Sequence, residues 1–347
     1  MNQPIQKIIF GSPGTGKSYR IVYEIIPKHL QIYEENRENI IKTVFHPEYT
    51  YGDFMGKLVP ITRKERVEYK YYEGHFLKAL SKAYKNIVES HDKNGFKIDE
   101  PKNVALVIDE INRGNSSAIF GTVFQLLDRD KDGWSSYGIN ITELEFRSLL
   151  ELMGVELYEK DGKIEKYELH PFNAVTLKNF QEKIKFLKID LENRTIWIPP
   201  NLSILGTMNT SDNSIFFMDS AFKRRWDWEF VNWDNTKPPK ATYGDEGVLN
   251  KDEWKKLQTK LNNFIKSHHA SIRGIEDKQI GYYFIKEPIT SEQIQNKLMF
   301  FLWDSVFNRD KKPLVELLKV TKDNLVTFGD FTKLHNIFVE NIMNFNN

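Results

Sequence analysis

The chain has 347 residues, 40% apolar and 28% charged, with 49 Lys+Arg against 48 Asp+Glu and a formal net charge of +1. That length exceeds one typical domain and that composition suits a globular protein with a real core, so a main domain plus a smaller one is expected. The balanced charge gives no overall footprint for nucleic acid or membrane, the lack of cysteine excludes disulfides and thiolate chemistry, and no apolar run reaches the ~20 residues that cross a bilayer.

In chain order, the apolar run Ile5–Phe10 predicts a strand. It starts almost at once and leaves no room for a signal peptide, so a cytoplasmic protein is expected. The strand leads into Gly11-Ser12-Pro13-Gly14-Thr15-Gly16-Lys17-Ser18, the pattern G-x-x-x-x-G-K-[ST] of a phosphate-binding loop. The glycines let the loop Gly11, Pro13, Gly14, Thr15 and Gly16 curl so that the N–H groups it has, all but that of Pro13, point inward at phosphate oxygens. Lys17 can reach the β- and γ-phosphates, and the Ser18 hydroxyl can ligate Mg²⁺. An amphipathic stretch, Tyr19–Leu30, predicts the helix that follows the loop. Its positive dipole end faces the same anion.

Asn39–Phe45 reads as a second short strand, followed by an aromatic, turn-rich segment at 46–54. Residues 74–89 carry apolar side chains at helical spacing. Val104-Ala105-Leu106-Val107-Ile108 is the most hydrophobic strand, suited to the middle of a parallel sheet covered on both faces. It ends in Asp109-Glu110, and a helix is expected from Ser116 to Leu127. Residues 128–197 read as an insertion with a helix at Ile141–Met153. Leu202–Thr207 is the next buried strand, ending in Met208-Asn209-Thr210-Ser211-Asp212. A short helix at Asp219–Arg225 and a fifth strand at Trp226–Val231 complete the α/β part. Beyond a Pro, Lys, Gly and Asp-rich linker, helical periodicity returns at Lys251–His268, Ser291–Asn308 and Phe331–Met343. The expected organisation is an α/β nucleotide-binding core at 1–235, its parallel sheet flanked by helices, and a small, mainly helical lid domain at 236–347.

Parallel α/β sheets carry their ligand chemistry at the carboxyl ends of strands. Asp109 at such an end is a Mg²⁺-holding carboxylate, and Glu110 beside it can orient or deprotonate an attacking water. The same pair could simply cap a helix. Asn209 could hold the γ-phosphate or the water, or serve a turn. Arg224 and Arg225 could neutralise charge on a transferring phosphoryl group across a subunit boundary. They could equally be a solvated pair or C-cap contacts.

With these blocks in order, the chain resembles the AAA+ NTPases, and within them the McrB group of restriction motors. The resemblance rests on Ile108-Asp109-Glu110-Ile111-Asn112-Arg113, Gly206-Thr207-Met208-Asn209-Thr210-Ser211-Asp212 and Asp219-Ser220-Ala221-Phe222-Lys223-Arg224-Arg225-Trp226. The aromatic segment at 46–54 and Gln279-Ile280-Gly281-Tyr282-Tyr283-Phe284 are also similar to this group. It implies a homo-oligomeric ring, a hexamer, that binds nucleotide between subunits. A McrC-like endonuclease partner would stimulate hydrolysis, in a restriction or anti-phage system. It assigns Lys17 and Ser18 to phosphate and Mg²⁺, Asp109 to the metal, Glu110 to water, and Asn209 and Asp212 to signature and sensor roles. Arg224 and Arg225 become the trans-acting candidates, and Gln279–Phe284 a lid segment near the nucleotide.

Asn213 stands where the group usually has Arg, and Trp226 where it usually has Phe. No DNA-recognition domain is expected before the loop, so DNA recognition is expected from a separate subunit, from the 128–197 insertion, or not at all. GTP is the expected nucleotide, with ATP the alternative. A small-molecule kinase shares the loop, but Glu110, the Arg pair and the helical C-terminal part argue against it. A remodelling or nucleotide-gated assembly module, unconnected to DNA cleavage, is the other alternative.

Overall fold

The strand Val104–Asp109 ends up with a strand on each side, and every residue of its apolar run from Val104 to Ile108 is buried. It is β3 of a five-stranded sheet whose other members are β1 (Gln6–Phe10), β2 (Ile40–Val44), β4 (Leu202–Met208) and β5 (Asp227–Phe230). The order is β5-β1-β4-β3-β2, and β3 pairs in parallel with both β2 and β4. Gly206 of β4 is in register with Ile108 of β3, so the next residue, Thr207, stands beside Asp109. The protein is thus α/β, with a parallel sheet flanked by helices and a helical C-terminal region. The computed structural model describes residues 3–63, 66–161, 163–209, 216–235 and 249–345.

The chain divides into two units, Met1–Ile8 with Ser18–Met208 and Asn213–Glu229, and Ile9–Lys17 with Asn209–Asp212 and Phe230–Asn347.

In the first unit, helix His75–Glu89 buries Phe76, Leu77, Leu80, Ala83, Tyr84 and Ile87, one apolar stripe at the 3.6-residue period. It packs against β2, β3 and helix Glu143–Met153. The latter starts at a capping box, Thr142 with Glu145, and stops at Gly154, whose φ of 93° needs no Cβ. The helix expected at 116–127 is a short α-helix, Ser116–Phe120, continued by a tighter 3₁₀ stretch, Gly121–Leu127. The break falls at Gly121, with φ 49°. Likewise the helix after the loop contains a wide π turn at Ile21–Ile25.

Two strand-rich regions depart from the sequence reading. Gly56–Arg63 and Arg66–Glu73 form an antiparallel hairpin in a stretch read without elements. The segment 128–197, read as holding one helix, also contains the three-stranded sheet Glu156–Lys160, Lys163–Leu169 and Phe172–Val175, and the helix Leu177–Lys183. These strands are largely solvent-facing, so charged and aromatic residues hide the apolar alternation that marks a half-buried strand.

The segment 128–197 is rooted at Arg129. Its guanidinium donates to the carbonyls of Gly133 (3.0 Å), Ile198 (3.1 Å), Pro199 (3.1 Å) and Leu202 (2.9 Å). Burial pushes its pKa down to about 9, which still leaves the group charged at neutral pH. Ile139–Asn140 pairs with Thr195–Ile196 just above this root.

The second unit has its own core, led by Trp254, Leu257, Leu261 and Phe264 of helix Lys251–Ser267, with Phe331 and Phe338. Asn250 accepts N–H bonds from Asp252 and Glu253 at the start of that helix. The single helix expected at 291–308 is interrupted by wide π turns at Ile294–Met299 and Leu302–Val306. Among the described residues, no helix is long and apolar enough to cross a membrane.

Candidate functional site

The glycine loop takes backbone angles that favour glycine: φ is 149° at Gly11, 76° at Gly14 and 82° at Gly16. Lys17 is buried and its ammonium donates to the carbonyls of Gly11 (2.8 Å) and Ser12 (2.9 Å). Thr15 Oγ1 donates to the Ser12 carbonyl at 2.9 Å. Later in the same unit, the Gly281 N–H donates to the Pro13 carbonyl (2.8 Å) and the Tyr283 N–H to the Gly14 carbonyl (2.9 Å). Ser12 Oγ donates to the Glu276 carbonyl at 2.5 Å. The approach is close enough that a Cβ on Gly14 would lie 2.4 Å from the Phe284 nitrogen. A cavity of about 240 Å³ in this unit is lined by Pro13, Asn209, Asp277, Lys278 and Phe284 among others. Asn209 and the loop thus border one space, together with the segment around Lys278.

A second group of residues gathers at the end of β3. Ser18, whose side chain is exposed, donates its hydroxyl to Asp109 Oδ1 at 3.1 Å. Thr207 donates to the same oxygen at 2.7 Å. Glu110 follows with a left-handed φ of 54°, and its N–H donates to Thr207 Oγ1 at 3.3 Å. A non-glycine residue held there is uncommon and costs free energy that its surroundings must supply. Two hard oxygen donors side by side, a hydroxyl and a carboxylate, fit Mg²⁺. Among the described residues no cluster of three His, Cys, Asp or Glu could form an all-protein cage. A cation held by Ser18 and Asp109 would complete its shell from substrate oxygens and water.

The two arginines differ. Arg225 donates from Nη2 (2.7 Å) and Nε (3.0 Å) to Asp128 Oδ2 and from Nη1 to the Ala221 carbonyl (2.8 Å). Its guanidinium also lies 3.9 Å from the centre of the Phe124 ring. Arg224 is exposed and forms no ion pair among the described residues. The short helix just before them, Ser220–Lys223, is capped by Asp219, which accepts the Phe222 N–H and the Ser117 hydroxyl. The Phe222 N–H, then Ser117, holds the Asp219 carboxyl below its usual pKa. Asp212, the other expected sensor residue, lies outside the described residues, as does Asn213.

The structure therefore brings Ser18, Asp109 and Glu110 together. It also groups Lys17 with its loop carbonyls, and commits Arg225 to Asp128. Sequence reasoning gave no role to Thr207 or Asp128. The place of Thr207 follows from the register of β4 against β3, which only the folded chain supplies: a hydroxyl one step past Gly206 faces the carboxylate one step past Ile108.

No family model matches the chain. It is similar to the Type II restriction enzyme BsuMI component YdiS of Bacillus subtilis (strain 168), with 27% identity over 364 residues covering 94% of this chain and 88% of that protein. It is also similar to the Type IV methyl-directed restriction enzyme EcoKMcrB subunit of Escherichia coli (strain K12), with 25% identity over 222 residues, 63% of this chain. The match spans 33% of the length of the E. coli subunit.

Proposed function

We propose that the chain, similar to two restriction-system proteins, is a McrB-like AAA+ protein and the nucleotide-driven motor subunit of a restriction system. It binds a nucleoside triphosphate with Mg²⁺ and hydrolyses the γ-phosphoanhydride bond. GTP is the substrate we favour, with ATP the alternative. Copies of the chain assemble into a ring, a hexamer, in the cytoplasm. The ring drives a McrC-like endonuclease subunit and meets DNA through that partner.

The observation that carries this reading is the Ser18 hydroxyl on the Asp109 carboxylate, next to a loop whose three glycines have positive φ. Loop N–H groups bind the phosphates, and Lys17 turns from the Gly11 and Ser12 carbonyls to phosphate oxygens of the same acceptor type. Ser18 and Asp109 hold Mg²⁺, which when bound neutralises charge on the β- and γ-phosphates. Glu110 takes the proton of the attacking water as its oxygen bonds to the γ-phosphorus and the diphosphate leaves. Asn209 holds the γ-phosphate or the water. Arg224, exposed and unclaimed by Asp128, serves the site of the neighbouring copy, while Arg225 braces it.

Phosphate release tests the proposal, measured with GTP and ATP in competition and with the partner endonuclease present. Turnover by the wild type and its loss in Glu110→Gln are expected. Equally slow release by both would point instead to a nucleotide-gated assembly module.

A further inference from the structure

Thr207 lies in a strand that is buried along nearly its whole length, and a β-branched residue there would ordinarily be read as packing. Its contacts argue otherwise. A threonine hydroxyl has one proton to give and two lone pairs to accept with. Here the proton goes to Asp109 Oδ1 at 2.7 Å and a lone pair takes the Glu110 N–H at 3.3 Å. The Thr207 carbonyl takes the next N–H, that of Ile111, at 3.0 Å. Three consecutive residues are thus tied to one residue of the neighbouring strand, and the middle one has the left-handed φ of 54°. Thr207 is only 3% exposed, so water offers little substitute for its hydroxyl.

We propose that Thr207 is the positioning residue of the acid pair: one buried hydroxyl fixes the carboxylate plane of Asp109 and the backbone that aims Glu110. The proposal rests on the nucleotide-hydrolysis reading and deepens it. Asp109 Oδ1 receives two hydroxyls of different character. Ser18 is exposed and can turn to a cation; Thr207 is enclosed and stays. The Thr207 bond therefore keeps Asp109 oriented while Ser18 exchanges partners. Residues that orient a metal-holding carboxylate in this way change metal affinity or activity by about 10–100-fold when removed.

Thr207→Val keeps the shape and deletes the hydroxyl; Thr207→Ser keeps the hydroxyl and deletes a methyl. Both are compared with the wild type in the full chain. The readouts are Mg²⁺ titration of the binding of a fluorescent non-hydrolysable nucleotide, nucleotide affinity in EDTA, thermal unfolding, and phosphate release with the partner. For Thr207→Val the half-saturating Mg²⁺ concentration should rise, and turnover fall, by about tenfold or more, with affinity in EDTA unchanged. Thr207→Ser should stay near wild type in both. The positioning role is overturned if Thr207→Val matches the wild type in its Mg²⁺ response. It is equally overturned if Thr207→Ser is as impaired as Thr207→Val, because the methyl would then be what matters. A wild-type chain that binds no nucleotide, with or without Mg²⁺, sinks the underlying reading itself. That outcome is distinct from a wild type that responds to Mg²⁺ alongside a Thr207→Val variant that responds identically.

Discussion

Arg225 and Asp128 form an ion pair at 2.7 Å in which the arginine side chain is 9% exposed and the aspartate 34%. The neighbouring Arg224 has no such anchor, so substitutions at two adjacent arginines should separate stability from turnover. Arg225→Ala should lower unfolding stability by about 2 kcal/mol, the range for hydrogen bonds to charged groups. Arg224→Ala should change stability by less than about 0.5 kcal/mol. If Arg224 acts on the next subunit, its loss should cut turnover by about 10³-fold or more. Mixing Arg224→Ala with Glu110→Gln protein should then restore part of the activity in hybrid rings. No recovery at any mixing ratio would remove Arg224 from the subunit boundary.

Lys17 offers a sharper test of binding. Its ammonium sits in the loop on two carbonyls and is buried, and in the proposed function it exchanges them for phosphate. Lys17→Ala should abolish measurable nucleotide binding in calorimetry. Retained affinity would rule the loop out as the phosphate cradle.

Glu110→Gln should leave nucleotide affinity intact and reduce phosphate release by about 10²–10⁴-fold, the usual contribution of a general base. A variant that turns over like the wild type would take the base role away from Glu110.

Gly281 has φ −83° and ψ 170°, angles that any residue can adopt. Space is what requires glycine here, because a Cβ would lie 2.3 Å from the Gly14 carbonyl oxygen. Gly281→Ala should therefore destabilise by about 1–3 kcal/mol, as overpacking does. By pushing its N–H away from the Pro13 carbonyl it should also weaken nucleotide binding. Unchanged melting temperature and affinity would show that this segment does not support the loop.

His75 lies at the start of helix His75–Glu89, with Nδ1 2.8 Å from the Tyr49 hydroxyl and 3.3 Å from the Asp53 carbonyl. Burial lowers its pKa below 6.5 and the Lys78 charge adds to that, against the opposing pull of the Asp53 carbonyl. The folded chain thus binds fewer protons here than the unfolded one. The stability contributed is complete above the unfolded pKa of 6.5 and is lost as pH falls from there through the folded value. His75→Gln should flatten the fall in melting temperature between about pH 7 and pH 5. An identical slope in the variant would assign that fall to other groups.

The apolar run at Val104–Ile108 and the spacing of glycines around Lys17 were legible because each carries its own physics. A strand covered on both faces has no polar side, and a phosphate cradle needs residues without Cβ at fixed steps. The hairpin Gly56–Glu73 was not legible. Leu58, Val67 and Tyr69 on it are 48%, 58% and 68% exposed, so no buried face imposes a pattern. The helix expected at 291–308 has the right apolar period, but nothing in that period announces π turns. Asp128 read as an insertion boundary because its partner Arg225 is distant in sequence, and only the folded chain pairs them. Thr207 was invisible for a related reason: its significance depends on the register of β4 against β3.

The root at Arg129 has a consequence for how this protein can vary. Because one guanidinium gathers carbonyls from Gly133 and from Ile198 to Leu202, the chain leaves and re-enters the sheet region at a single spot. The stretch between 136 and 194 therefore begins and ends together, and its helix Glu143–Met153 packs back on helix His75–Glu89. Lengthening it adds only slowly to loop-closure entropy, about 0.6 kcal/mol for each doubling.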